Sequence, residues 1–349
     1  MELLIPCAGK SSRFSTEKPK YLLTMPDGKL MIQTTTESVM SQFDKIFFSV
    51  LKEHDEKYNA AKILKEIFPD SEVLVIEEVT RGQAETVVKM LEYFNIKNSF
   101  LVKDSDSYFN TKINYEKSKN YISICDAKKI PTVKLYNKSF VEISNQKFIL
   151  RTSLQIISNF FSCGGYFFSS PTEFINNFIK YEKMQIEGEF FVSNIIDIMI
   201  DGNQIFHPME CTNYKDWGTY EEWIEYKRTK SAYFFDIDGV IYENGSEYWS
   251  PKWGENKVFP EVKNKINDLF NSGNQIILTT SRPEKFKEIT IKQLEKDEIH
   301  FHKLIMDIFH GSRIIINDYS DTNPYPSAKA INTKRNSCDF LEKINQEKL

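Results

Sequence analysis

The chain has 349 residues, long for a single domain, so two are expected. Its 49 acidic residues outnumber 45 basic ones, and the net charge of −4 disfavours a nucleic-acid binder, which carries a basic surplus. No apolar run approaches bilayer length, and the N-terminus leads straight into a strand rather than a signal peptide. The five scattered cysteines show no metal-ligand spacing and suit a reducing, cytoplasmic setting.

The first predicted strand ends in the turn Pro6-Cys7-Ala8-Gly9-Lys10-Ser11-Ser12-Arg13-Phe14. Backbone N–H groups freed by such a turn suit an anion, and Gly9 lets a phosphate come close. The spacing is neither that of a Walker loop nor that of the three-glycine dinucleotide fingerprint. Two cations, Arg13 and Lys20, follow closely. Helices over residues 31–44 and 56–68 alternate with buried strands over 45–51 and 72–76. This alternation predicts an α/β fold with a mostly parallel, doubly wound sheet and ligands at the carboxyl ends of its strands. The segment Thr80-Arg81-Gly82-Gln83 opens a further helix that runs to Phe94. A strand from Ser99 then ends in Asp104 and Asp106, two residues apart and so on one face of an extended chain. Like charges so placed repel, and a divalent cation is the usual reason to keep them.

The opening segment resembles that of the sugar-phosphate nucleotidylyltransferase family, which has Ala-Gly-x-[Ser/Gly]-x-Arg-[Phe/Met] and then Lys-Pro-Lys-x-Leu, here Ala8 to Phe14 and Lys18 to Leu22. Further motifs follow in the family's order: Gly82-Gln83, the acids at Asp104 and Asp106, Gly164-Gly165-Tyr166, Gly188 to Ser193, and Asp216-Trp217-Gly218-Thr219. The resemblance covers residues 1–228 and implies a nucleotidyltransferase domain with a Rossmann-like mixed sheet. By the same resemblance, Ala8, Gly9, Lys10, Ser11 and Arg13 hold the β- and γ-phosphates of an NTP. Lys20 neutralises its α-phosphate or the incoming phosphate, and Gly82 and Gln83 contact the base. Asp106, with Asp104 as near neighbour, and Asp216 hold Mg²⁺. The reaction is in-line attack of an acceptor phosphate on the α-phosphorus, and catalysis is mostly positioning and charge neutralisation. The attacking phosphate is already ionised, so no general base is needed.

A short cationic joint leads to a second domain over residues 232–349. Its first strand ends in Asp236-Ile237-Asp238-Gly239 and resembles the first motif of the haloacid dehalogenase superfamily. Residues 275–283 resemble the second motif and 313–321 the fourth. This implies a doubly wound, capless phosphatase-like domain, because too few residues separate the first two motifs to hold a large cap. Asp236 is then the nucleophile, Asp238 the general acid/base and Thr280 the phosphoryl binder, with Asp236, Asp238 and Asp318 on Mg²⁺. For the expected lysine, Lys303 is preferred to Arg313.

Together these resemblances predict a bifunctional enzyme supplying activated building blocks for a surface polysaccharide. The first half takes an NTP, with CTP favoured, and a phosphorylated sugar, polyol or alcohol; the alternative is a hexose-1-phosphate enzyme using dTTP, UTP or GTP. The second half is a phosphatase on a metabolite of the same pathway or, alternatively, a structural domain without turnover. A homo-oligomer is compatible with this reading; nucleic-acid and membrane partners are not expected.

Overall fold

The computed structural model describes residues 1–11, 14, 18–111, 116–130, 134–185, 188–245, 252–318 and 328–346. The chain divides into two compact units, Met1–Tyr226 and Lys227–Leu349.

The first unit begins with β1 (Glu2–Cys7), α1 (Met31–Glu37), β2 (Lys45–Leu51), α2 (Lys52–Tyr58), α3 (Ala60–Ile67), β3 (Glu72–Ile76), α4 (Gln83–Tyr93) and β4 (Phe100–Lys103). These are followed by β5 (Ser107–Asn110), β6 (Asn120–Asp126), β7 (Phe140–Ile143), β8 (Ile149–Ser153) and β9 (Phe160–Phe168). It closes with α5 (Pro171–Lys183), α6 (Val192–Asp201), β10 (Phe206–Glu210), β11 (Thr212–Asp216) and α7 (Tyr220–Arg228). The main sheet runs in the order β10-β6-β9-β4-β1-β2-β3, with β7 attached to β9 and β8 to β7. Strands β1 to β4 are parallel, while β9 is antiparallel to both β4 and β6, so the sheet is mixed as expected.

Side chains alternate across the pleat and divide the core in two. Leu4, Phe47, Phe100 and Phe168 lie in one cluster, and Leu3, Phe48, Leu101 and Phe167 in the other. The strand order also fixes where a ligand can bind. From β1 the chain steps outward to β2 and β3, then returns to place β4 on the other side of β1. A crevice opens at that reversal, above the carboxyl ends of β1 and β4.

Two predicted helices are shorter than expected. The one expected over 31–44 stops at Glu37, because the hydroxyls of Thr34 and Thr35 bond back to carbonyls of their own helix, which weakens it. The one expected over 56–68 is two helices, broken at Asn59, whose backbone is left-handed (φ 55°), a conformation asparagine tolerates.

The second unit contains β12 (Ala232–Asp236), α8 (Pro260–Asn271), β13 (Gln275–Thr279), α9 (Lys287–Lys296), β14 (Lys303–Ile305) and α10 (Phe340–Gln346). Its sheet is parallel in the order β12-β13-β14, and its core gathers Phe235, Ile237, Tyr242, Leu278 and Phe340. Among the described residues this order steps one way only. Right-handed crossovers then put both connecting helices on one face. The predicted strand at 313–318 has no regular structure, and Ile314 and Ile316 are 83% and 93% exposed.

Candidate active site

The loop after β1 rises from the floor of the crevice. Ala8 is buried, Gly9 has open space where a Cβ would stand, and Ser11 is left-handed (φ 54°). The Ser11 hydroxyl oxygen accepts from the Lys20 backbone N–H at 3.2 Å, which ties the loop to the Lys-Pro-Lys segment. Lys20 reaches across and forms an ion pair with Asp106. Ala8, Gly9, Lys10, Ser11 and Lys20 all line one cleft of about 740 Å³. Arg13 lies outside the described residues.

Asp104 and Asp106 sit on a turn between β4 and β5, not on an extended strand as the sequence suggests. The turn forms because the buried Lys103 ammonium folds back onto it. Its Nζ donates to the Asp104 carbonyl at 2.9 Å, to the Ser107 hydroxyl at 3.0 Å and to the Ser107 carbonyl. Burial pushes Lys103 down to about 8. The Thr35 hydroxyl donates to the Ser105 carbonyl at 3.1 Å and braces the turn from α1. Gln83 donates to Asp104 Oδ1 at 2.6 Å, so its amide holds a carboxylate at the edge of the cleft. Burial, and then the neighbouring Asp106 charge, raises the Asp104 carboxyl to about 6.

Asp216 arrives from far along the chain because β11 pairs antiparallel with β5, in a register that sets Asp216 opposite Ser107. The Trp217 N–H donates to the Asp106 carbonyl at 2.9 Å and fixes this meeting. A Cβ on Gly218 would stand 3.0 Å from Asp216 Oδ1 and 3.3 Å from Asp106 Oδ2, so the two carboxylates flank one point. Asp216 has its own cation, the buried Lys138. Neither Lys103 nor Lys138 was found from sequence. Lys103 stood out only as a charge at the end of an apolar strand, and Lys138 lies in a segment without periodicity.

The far wall is made by two loops held backbone to backbone. Phe190 N–H donates to the Arg81 carbonyl at 3.0 Å, and Ala84 N–H to the Phe190 carbonyl at 2.9 Å. Gly82 is needed at this contact, since a Cβ there would come within 2.5 Å of the Phe190 backbone. Arg81 clamps the pair, bonding Glu85 and Glu182 while its guanidinium lies 4.7 Å over the Phe190 ring. Gly164 (φ 80°) passes against Asp104, and Tyr166, Ser193 and Tyr136 complete the cleft.

In the second unit, Asp236 ends β12 and Thr280 follows β13. The Thr280 hydroxyl lies 3.3 Å from Asp238 Oδ2. The fully buried Arg282, missed from sequence, holds Asp238 with two bonds: Nε to Oδ2 at 2.9 Å and NH2 to Oδ1 at 2.8 Å. Its remaining NH1 bonds Thr290 and Gln293. Arg313 NH2 donates to Asp236 Oδ1 at 2.9 Å. Burial raises the Asp236 carboxyl, and Arg313 opposes that rise. Lys303 is exposed at the start of β14, level with Ile277, whereas Asp236 is level with Thr279. The register thus sets Lys303 two residues from the carboxyl end, and Arg313 rather than Lys303 reaches Asp236. Asp318 lies on the exposed irregular segment.

Among the described residues no three His, Cys, Asp or Glu side chains gather to hold a metal ion. Asp106 and Asp216 nevertheless fit Mg²⁺, which is commonly bound by one or two carboxylates with substrate phosphates and water filling the rest. Asp236, Asp238 and Asp318 likewise form no such group.

The nucleoside-diphosphate-sugar pyrophosphorylase from Vibrio cholerae RC9 matches with a TM-score of 0.57 at 20% identity, covering 65% of this chain and 99% of that one. The inositol-1-phosphate CTP transferase from T. maritima matches with 0.54 at 13% identity, over 63% and 90% of the two chains. A putative glucose-1-phosphate thymidylyltransferase from Bacillus anthracis matches with 0.53 at 17% identity, over 65% and 94%. The chain thus has a sugar-phosphate nucleotidyltransferase fold over about 65% of its length. No family model and no curated protein matches the chain. No helix among the described residues is long and apolar enough to cross a membrane.

Proposed function

We propose that the first unit transfers a nucleotidyl group from an NTP to a phosphorylated sugar, polyol or alcohol and releases pyrophosphate. The supporting observation is the pairing of Asp106 and Asp216 about Gly218, each opposite a lysine, at the mouth of a cleft lined by the glycine loop. The loop amides around Gly9 receive the β- and γ-phosphates, and Lys20 neutralises charge at the α-phosphorus or on the incoming phosphate. Lys138 does the same on the Asp216 side. A magnesium ion held by Asp106 and Asp216 would clamp the α-phosphate and offset its charge. An acceptor phosphate oxygen bonds to the α-phosphorus as the bond to the β-phosphate oxygen breaks, and pyrophosphate carries that electron pair away. Lys103 and Gln83 keep the acidic turn in place during this exchange.

CTP is the favoured donor and surface-polymer synthesis the favoured role, with dTTP, UTP or GTP as the alternative donors. The test is pyrophosphate release by the full chain with MgCl₂, each NTP and a mixed pool of phosphorylated sugars and alcohols. Release with a single nucleotide fixes the donor; silence with all of them overturns the reading.

For the second unit the proposal is phosphate-ester hydrolysis with Asp236 as nucleophile, supported by Asp236, Asp238 and Thr280 meeting at the carboxyl ends of β12 and β13. The specific observation favouring the alternative, a structural role, is the Arg282 clamp. A carboxylate whose two oxygens both accept from a guanidinium has no proton to give, so acid–base work by Asp238 requires Arg282 to let go. Loss of phosphate release in Asp236→Asn supports the enzyme, and no release before or after supports the structural role.

A further inference from the structure

Three of the five cysteines, far apart in sequence, meet in the core of the first unit. Cys125 lies on β6, Cys163 on β9 and Cys211 between β10 and β11, all in the core cluster on one face of the main sheet. The sheet order gathers them, because β6 stands between β10 and β9. Cys125 is level with Phe161 on β9, two residues from Cys163 and so on the same face. On its other side the Cys211 N–H donates to the Ile124 carbonyl at 2.8 Å, and the Cys125 thiol donates to the Cys211 carbonyl at 3.2 Å. The Cys163 thiol hydrogen-bonds both Cys125 and Cys211. Its donation lowers Cys125 below the ordinary thiol value, whereas burial pushes Cys163 up. One sulfur is thus biased toward the thiolate and touches a second thiol that can resolve it. Cys163 directly precedes Gly164, whose carbonyl accepts from the Asp104 N–H at 2.8 Å, so the thiols adjoin the acidic turn.

We propose that hydrogen peroxide joins Cys125 to Cys163 in a reversible disulfide that draws Gly164 off Asp104 and switches the cleft off. The switching rests on the nucleotidyl-transfer reading; the disulfide does not. The Cys125 sulfur attacks a peroxide oxygen, the O–O bond breaks and water leaves, which makes Cys125 a sulfenic acid. The Cys163 sulfur then attacks the Cys125 sulfur, the S–O bond breaks, and a second water carries off the Cys163 proton. Two thiols are oxidised, one peroxide is reduced, and a dithiol reverses the bond. A disulfide holds its sulfurs about 2 Å apart, well inside hydrogen-bond contact, so closing it moves backbone. The β9 side yields, since the β6–β9 register is already irregular between Ile122 and Ile124.

The test is treatment of the full chain with a slight excess of hydrogen peroxide, alkylation of the remaining thiols and peptide mass mapping. A Cys125–Cys163 cross-linked peptide pair is expected, absent from Cys163→Ala, kept in Cys211→Ala and removed by dithiothreitol. Pyrophosphate release should fall about 100-fold with the link, the cost of misplacing a site by about 1 Å, and recover in dithiothreitol. Oxidation confined to the partly exposed Cys338, or a link that forms without Cys163, overturns the proposal. So does a Cys125–Cys163 link that leaves release unchanged. A link in a chain that releases no pyrophosphate from any NTP keeps the disulfide and sinks nucleotidyl transfer. Release from a chain that never links does the reverse.

Discussion

Replacing Lys138 by methionine tests the paired carboxylates without any assay of turnover. The Lys138 side chain is 5% exposed and that of Asp216 14%, so this ion pair sits almost wholly out of water. Methionine keeps much of the stem's volume and removes the charge, leaving Asp216 beside Asp106 with its own cation gone. Breaking a nearly buried pair from one side costs about 3 kcal/mol, because an uncompensated charge remains. In a unit of this size that lowers Tm by roughly 6–12 °C. A divalent cation held between Asp106 and Asp216 supplies positive charge at the same place. At a hundred times its Kd it returns about 2.7 kcal/mol by mass action. The variant should therefore melt low in EDTA and recover several degrees in saturating MgCl₂. A variant Tm that MgCl₂ leaves at its EDTA value would refute the idea that these carboxylates share a cation.

Other expectations follow from the same geometry. Asp106→Asn should slow pyrophosphate release by about 100-fold or more, as removal of one preorganised charge contact does, in a steady-state assay. Gly82→Ala forces a methyl into the Phe190 backbone and should cost roughly 1–3 kcal/mol in urea unfolding. The Asp104 carboxyl, raised to about 6 by burial and Asp106, binds protons in the native state that the unfolded chain has released. Its stabilising contribution is present below the ordinary carboxylate range and is lost as pH rises through 6. In EDTA, the Tm difference between Asp104→Asn and the parent should thus move in the variant's favour from pH 4 to 7; a flat difference contradicts the assignment. Arg282→Met strands Asp238 without its guanidinium and should destabilise the second unit by about 3–5 kcal/mol, read by its unfolding transition.

Much of the first unit was legible because its signals are local. The strands at 45–51 and 72–76 are runs of apolar, β-branched and aromatic residues, and β2 and β3 have those same limits. The glycine loop and the acids at 104 and 106 follow strand ends, which is where a parallel sheet gathers ligands. What stayed hidden depends on contacts between distant segments. The turn at Asp104 is made by Lys103 folding back, which a period of two cannot reveal. Lys138 becomes relevant only once the register of β5 and β11 has delivered Asp216 to it. Arg282 read as one more residue after a strand, and its burial against Asp238 needs both strand ends in place.

The two units differ at one topological step, and that step accounts for the unequal strength of their sites. In the first, the order reverses between β1 and β4, so loops diverge above the reversal and leave a walled crevice. In the second, the described strands proceed from β12 to β14 without reversal, so Asp236 and Asp238 stand at the end of an edge strand. A strand added to the free side of β12 would create the missing reversal and bury its own apolar residues. Residues 313–318 have the composition for it, with three consecutive isoleucines standing in solvent and Arg313 already bonded to Asp236. Burying three such side chains is worth about 1.5–3 kcal/mol each, against about 1–2 kcal/mol per residue for fixing the backbone. These terms are of similar size, so burying the isoleucines roughly offsets the cost of ordering the segment.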